Sequence, residues 1–299
     1  MIPLVRRLAA LGVLGTALAA CGAPSTPTSS HFSARPSASL PASPSVSHPT
    51  PSRPATSGPA TSGPPTLATG PRGLTPVFKN AATHEKVVAL TFDADMTADQ
   101  GPRAKAGEHF DNPGLIDALR QLKVPSTVFM TGRWAEQYPR QARAIGRDPL
   151  FEVANHSYSH HSFTGSCYGL PVLPEERMRS DVERAFTSLR AAGVPRPMPY
   201  FRFPGGCYDN KALRAISSLG VTAVQWDVVS GDAFAKDANA VVQQVLDGVR
   251  PGSVVVLHCT RSAAPVTEQV IRTVVPRLRA QGYRFVKVSE MIEVSRRRS

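Results

Sequence analysis

Acidic residues are missing from the first 84 positions of this 299-residue chain, although six basic ones (Arg6, Arg7, Arg35, Arg53, Arg72 and Lys79) lie there. The net charge of +12 is therefore uneven: the remainder has 28 basic and 22 acidic residues, a balance of +6 ending in Arg296-Arg297-Arg298. That remainder has no stripe of Arg and Lys interleaved with aromatics, which argues against a nucleic-acid partner. A mildly basic enzyme working near a polyanionic surface fits the charge better. No G-x-G-x-x-G follows the first expected strand, which argues against a dinucleotide fold. Cysteine is scarce, at four residues. The length allows one large domain or two ordinary ones.

The N-terminus reads as an export signal over residues 1–20. Arg6-Arg7 is its positive start, and residues 8–18 form an apolar run of about eleven, too short to span a bilayer. Leu18-Ala19-Ala20-Cys21-Gly22 is similar to the lipobox of bacterial lipoproteins. That similarity implies cleavage before Cys21 and diacylglycerylation of its thiol, and two acyl chains on one residue anchor a protein stably. The alternative is an ordinary secretory signal. Residues 23–72 hold twelve of the chain's 28 prolines among Ser, Thr, Ala and Gly. Such a segment cannot bury enough surface to offset its ordering entropy, so residues 21–75 are expected to be a disordered tether. At about 3.1 Å per residue it would reach roughly 150 Å, into or through a cell wall.

Residues 76–295 carry regular patterning. Strands are expected at 87–91, 126–130, 151–154, 200–203, 221–226, 254–258 and 283–288. Helices are expected at 113–122, 133–145, 175–192, 212–219, 239–249 and 266–280, the last interrupted or shifted by Pro276. Seven strands alternating with helices indicate an α/β fold with a mainly parallel sheet, and about 215 residues suit a closed or nearly closed barrel. Chemistry in such barrels sits at the C-terminal ends of the strands.

Those ends carry the chemistry-bearing residues. Asp93 and Asp95 follow the first strand, two apart, so in extended backbone both face the same way. His156 and His160, four apart after the third strand, can point imidazoles at one ion. Arg202 comes from the fourth, Trp226, Asp227 and Asp232 from the end of the fifth and beyond, and His258 ends the sixth. Singly, each has a plain explanation: a chance histidine pair, a turn or capping aspartate, a hydrogen-bonded core histidine. Their recurrence at one end of successive strands points to a common mouth.

In order, Thr91-Phe92-Asp93-Ala94-Asp95, Asn155-His156-Ser157-x-x-His160, Arg202-Phe203-Pro204-Gly205, Trp226 followed by Asp232, and Leu257-His258 resemble the polysaccharide deacetylase (NodB-homology, carbohydrate esterase 4) family over residues of about 85–290. The resemblance implies a distorted (β/α)7-type barrel and metal-dependent removal of N-acetyl groups from sugar polymers. It implies Asp93 as general base, and Asp95, His156 and His160 as ligands of a divalent ion, zinc or another such as cobalt. Arg202 would pair with Asp93, and His258 would protonate the leaving amine. Asp232 would orient His258 or Arg202, Leu257 would touch the acetyl methyl, and a backbone N–H near Gly205 would meet the oxyanion.

Three departures stand out. Ala94 separates two aspartates that are usually adjacent, leaving open which is base and which is ligand. Gly205 stands where an aromatic residue is frequent. Ala233 follows Asp232 where tryptophan is common, so Trp226 and Tyr158 are the candidates for stacking on sugar beside Pro204 and Gly205. His161 is a possible substitute for His160. Of Cys167, Cys207 and Cys259, which cannot all pair, Cys167–Cys207 is the favoured disulfide in an exported protein, with a zinc-thiolate site the competing idea. The expected partners are an acetylated cell-envelope glycan, peptidoglycan or a chitin-like polymer, and a membrane reached through the lipid anchor. O-deacetylation and a catalytically silent glycan-binding lipoprotein are the alternatives.

Overall fold

The computed structural model describes residues 63–297. The signal, Cys21 and most of the expected tether lie outside the described residues. The strands are β1 (Val77–Phe78), β2 (Val87–Ala94), β3 (Ser126–Met130), β4 (Phe151–Asn155), β5 (Tyr200–Phe201), β6 (Thr222–Val224), β7 (Val228–Val229), β8 (Ser253–His258) and β9 (Arg284–Phe285). The helices are α1 (Gln100–Lys105), α2 (Pro113–Gln121), α3 (Gly132–Gln137), α4 (Pro139–Arg147), α5 (Glu175–Ala191), α6 (Asn210–Ala215), α7 (Ala238–Gly248), α8 (Thr267–Ala280) and α9 (Val288–Arg296).

The strands form one sheet in the order β1-β6-β5-β4-β3-β2-β8-β7, with β9 pairing β2. Every pairing is parallel. The path has two ends, so the sheet curls into an incomplete, distorted (β/α)7-type barrel. β2 lies between β3 and β8, and all eight of its residues are buried, as a parallel strand covered on both faces requires. One face, with Leu90, Phe92, Val128, Val255 and Leu257, packs under α2, α3, α4, α7 and α8. The other, with Ala89, Phe129, Ala154 and Val254, forms the inner cluster on which Met291 and Ile292 of α9 pack.

Three local expectations differ from what forms, and one helix, α1, was not expected. The expected helix at 133–145 is two helices, because Pro139 has no N–H and disfavours helical backbone at Tyr138. Pro276, in contrast, sits inside an unbroken α8, whose buried face of Val270, Ile271, Val274, Val275 and Leu278 outweighs one lost bond. β9 stops at Phe285, and Val288 opens α9, with the Val288 N–H donating to Thr127 Oγ1 at 2.9 Å. α1 buries no side chain, so it carried no apolar periodicity to read.

The expected tether boundary at residue 75 also moves. The Tyr200 hydroxyl donates to the Pro65 carbonyl at 2.8 Å, the Leu67 N–H to Thr222 Oγ1 at 2.9 Å, and Thr75 Oγ1 to the Leu213 carbonyl at 2.9 Å. Leu67 packs against the inner cluster and Leu74 is buried beside α5 and α6. Residues from Pro65 onward therefore belong to the fold. Scattered apolar residues in a Pro-rich stretch have no period that would reveal this. Among the described residues, no helix is long and apolar enough to cross a membrane.

Candidate active site

Side-chain alternation along β2 sends Thr91 and Asp93 to the inner face, and parallel pairing sets Asp93 directly beside His258 at the end of β8. Arg202, on the residue after β5, is fully buried. Its Nη1 donates to Asp93 Oδ1 at 2.7 Å, its Nη2 to Thr91 Oγ1 at 2.9 Å and its Nε to the Val224 carbonyl at 3.2 Å. Phe129 lies under the guanidinium, 3.9 Å from ring centroid to Cζ. Burial would raise the Asp93 pKa, but Arg202, His156 and His258 outweigh it, and the carboxyl is held below its ordinary range.

The histidine loop is shaped by its own short polar residues. Asn155 ties β4 to α5 by donating to the Val182 carbonyl, and its Oδ1 accepts the Ser157 N–H at 2.8 Å. Ser157 and His160 both adopt left-handed backbone (φ 69° and 56°), and Ser157 Oγ accepts the His160 N–H at 3.0 Å. Left-handed backbone at non-glycine residues is strained, and such strain clusters at functional sites. The turn brings the two imidazoles to a centroid separation of 5.0 Å.

His156 Nδ1 donates to the Arg202 carbonyl at 2.9 Å, leaving Nε2 3.6 Å from Asp93 Oδ2. His160 Nε2 lies 3.9 Å from Asp95 Oδ2, while Asp95 Oδ1 accepts from Thr260 Oγ1 at 2.7 Å. Among the described residues, no three His, Cys, Asp or Glu side chains already meet the spacing of a formed metal centre. The donor set nevertheless fits a divalent ion. His156 has one nitrogen held by a carbonyl and the other facing the site, and Asp95 is oriented by a hydroxyl through one oxygen only, the usual outer support of metal ligands. Burial, opposed by Asp95, pushes the His160 pKa down to about 4, so its imidazole is neutral, as a ligand must be. Asp95 thus joins the cluster despite the intervening Ala94, and His161 lies in a recess beside it.

On the neighbouring strand, His258 Nδ1 lies 2.8 Å from Asp232 Oδ1, and the His258 N–H donates to Asp232 Oδ2 at 2.8 Å. Thr267 and Ser230 hydroxyls donate to the same carboxylate, at 2.7 and 2.8 Å. Asp232 therefore orients His258 and not Arg202. Burial alone would lower the His258 pKa, but Asp232, with Asp93 and Asp95, more than offsets it and the imidazole is raised to about 9. One carboxylate kept charged by an arginine faces one imidazole kept charged by a carboxylate. Such a pair can take a proton on one side of a reacting group and give one on the other.

Several expected contact residues sit otherwise. Leu257 points away from His258 into the helix-covered layer and is 1 % exposed. Val256 shares the His258 face instead. Tyr158 is 3 % exposed, with Arg133 and Arg184 guanidiniums 4.9 and 3.6 Å from its ring centroid and its hydroxyl donating to Glu136 at 3.0 Å. No sugar can stack on a ring so covered. Pro204 is buried, and Gly205 after it is partly exposed. Trp226 is half-buried, 5.3 Å from the Arg202 Cζ.

Cys167 and Cys207 form a disulfide, Cα–Cα 6.0 Å, joining the loop after the histidines to the turn after Arg202. Gly205 has φ 62°, and a Cβ there would lie 2.5 Å from the Cys167 sulfur and 3.3 Å from a Tyr168 ring carbon. The disulfide and Tyr168 thus occupy the space an aromatic side chain would take at position 205. Cys259 is free and buried, its thiol pushed up to about 12 by burial, which leaves it unreactive.

Tyr168 and Phe234 are the aromatic residues missed in the sequence. They are 89 % and 81 % exposed, with φ 48° and 60°. Tyr168 stands over Gly205, and Phe234 follows Asp232 by two residues. A bulky residue held exposed in left-handed backbone is uncommon and marks a site worth testing. Position relative to Asp232 was the only available signal.

A family profile described as polysaccharide deacetylase matches residues 80–224. A chitooligosaccharide deacetylase of Sinorhizobium fredii is 31 % identical over 167 residues, covering 54 % of this chain and 70 % of that protein. A peptidoglycan-N-acetylglucosamine deacetylase of Bacillus cereus is 26 % identical over 214 residues, covering 70 % of this chain and 89 % of the relative. Among solved structures, a carbohydrate esterase 4 pseudoenzyme of Bacillus anthracis superposes with a TM-score of 0.58 at 22 % identity, over 76 % of this chain and 70 % of that one. By its relatives and its fold, the chain belongs to the polysaccharide deacetylase family, the deacetylases of the NodB-homology, carbohydrate esterase 4 type.

Proposed function

We propose that this protein is a metal-dependent N-deacetylase acting on N-acetylglucosamine units of a cell-envelope polysaccharide, peptidoglycan or a chitin-like polymer. The observation that carries the reading is the Asp93–Arg202 pair set beside the His258–Asp232 pair at the ends of adjacent strands. Asp95, His156 and His160 are the residues to hold a divalent ion such as zinc or cobalt. Such an ion, when bound, lowers the pKa of water and polarises the amide carbonyl.

Asp93 Oδ2, the carboxylate oxygen not taken by Arg202, accepts the proton of the attacking water. Arg202 keeps that carboxylate ionised and fixed. His258, held by Asp232 through Nδ1, passes a proton from Nε2 to the departing amine nitrogen. The backbone N–H at Gly205 faces the oxyanion. Val256 lines the wall for the acetyl methyl; Tyr168 and Phe234 are the exposed aromatic surfaces for sugar rings, and the half-buried Trp226 offers a part of one.

The same groups can attack an ester, so O-deacetylation is the second reading. A silent binder is disfavoured because a binder needs neither a paired base nor a paired acid. Residues 18–22 and the Pro-rich stretch behind them support an exported protein anchored at Cys21 on the outer face of the cell membrane and reaching into the wall. If so, Cys21→Ser releases it from the membrane fraction.

The enzymatic test incubates the full chain with N-acetylglucosamine oligomers, peptidoglycan and an O-acetylated glycan, with and without chelator, and measures acetate. Chelator-sensitive acetate from the amides is expected. Acetate from the ester alone selects the second reading, and none from any glycan overturns both.

A further inference from the structure

Beside the histidine loop opens a cavity of about 500 Å³ whose lining includes Arg133, Tyr158, His161, Arg177, Asp181 and Arg184. Arg177 and Arg184 are seven apart on α5, so both project from one helix face, with Asp181 between them. Arg133 comes from α3. Arg133 and Arg184 lie against the Tyr158 ring, which fixes their positions relative to the cavity.

Among the described residues, none of the three guanidiniums has a carboxylate within ion-pair distance, whereas neighbouring Arg179 pairs with Glu183 at 2.8 Å. The Nε of Arg133 is buried with no hydrogen-bond partner. A buried donor left unpaired is costly, and native proteins rarely leave one so without a reason. The carboxylate in the lining, Asp181, turns Oδ1 to the Tyr158 and Ser159 N–H groups at 2.7 and 3.3 Å. Three guanidiniums therefore face one carboxylate already engaged with backbone. Exposed arginines are often merely solvated, but here three converge on one cavity whose carboxylate is already engaged.

We infer that this cavity is an anion subsite that takes a carboxylate carried by the glycan. A planar carboxylate matches the guanidinium fork through paired, charge-assisted hydrogen bonds. Ser159 and His161, which flank His160, both line the cavity, so the subsite adjoins the sugar being deacetylated. This assignment rests on the glycan-deacetylase reading above, and it makes the preferred substrate an acidic amino-sugar polymer instead of a neutral one.

The test separates the two claims. Calorimetry on the full chain compares an already deacetylated, carboxylate-bearing glycan fragment with its carboxyl-amidated counterpart, so that no turnover is needed. Wild-type protein should bind the acidic fragment about tenfold more tightly, the scale of one charge-assisted contact. That preference should fall severalfold in R177Q, which leaves the Tyr158 stack in place, and vanish in R177Q/R184Q. Thermal melting of each variant reports its folding. The ratio of kcat/KM on acidic over neutral oligomers should fall in parallel. Equal binding of the two fragments by wild type, or a preference retained by both variants, overturns the subsite. Absence of acetate from every glycan overturns the enzyme reading instead, and leaves the binding comparison to judge the cavity.

Discussion

Arg202 Nη1 and Asp93 Oδ1 meet at 2.7 Å with both side chains buried, one at the turn after β5 and the other at the end of β2. Removing either partner strands a charge in the interior. Arg202→Met should therefore destabilise the fold by about 3–5 kcal/mol, read by chemical denaturation. Asp93→Asn keeps a hydrogen-bonding side chain beside Arg202 but cannot accept the proton, so kcat should drop about 10²- to 10⁴-fold. Full activity in Asp93→Asn would remove Asp93 from the base role.

His258 and Asp232 set the alkaline limit of activity. With the imidazole raised to about 9, kcat/KM should hold through neutral pH and decline as the pH rises through 9. Asp232→Asn should move that limb down by about 1–2 pH units. The same pair contributes to stability. Because the folded pKa is the higher one, its contribution is complete below about pH 6.5 and is lost as the pH climbs through 9. An alkaline limb unmoved by Asp232→Asn would sever this link.

Gly205 and the disulfide are coupled by space. Gly205→Ala should cost about 1–2 kcal/mol from left-handed backbone alone, and more from the Cys167 sulfur lying where its Cβ would go. Replacing Cys167 and Cys207 together by Ala should return the second part but not the first. A double-mutant cycle in denaturant measures this coupling. A cost of Gly205→Ala that is the same with and without the disulfide would show no contact between them.

Phe234 is strained and exposed, so stability and binding should separate there. Asparagine tolerates left-handed backbone, and Phe234→Asn should raise stability by about 0.5–1 kcal/mol while raising KM for oligosaccharides severalfold. An unchanged KM would mean that the ring does not touch sugar.

The strap of residues from Pro65 to Thr75 should stabilise the barrel. A chain beginning at residue 76 loses the bonds to Tyr200, Thr222 and Leu213 and the burial of Leu67 and Leu74. It should be less stable than one beginning at residue 63 by about 2–4 kcal/mol, seen as a lower melting temperature.

What could be read early and what could not divides along physical lines. Asp93, Asp95, His156, Arg202 and His258 were legible because each follows an apolar strand at one end of the barrel. The aspartates' spacing also matches the two-residue repeat of extended backbone. The same repeat, counted back from His258, turns Leu257 outward, so its orientation is legible from the strand alternation alone. Tyr158 was not readable. Its ring is covered by Arg133 and Arg184, each about 25 residues distant, and no local pattern reports such a stack.

The sequence by itself determined the alternation of strands and helices, the order of the acid, base and imidazole residues, and the family. These follow from short-range periodicity and from chemistry carried by residue type. Only the tertiary structure decided that Asp232 serves His258, that Asp95 reaches His160 past Ala94, and that three arginines without an ion-pair partner among the described residues share one cavity. Those relationships join residues from separate elements. Strand register, helix packing and the burial of charge arrange them, and each of these depends on the whole fold.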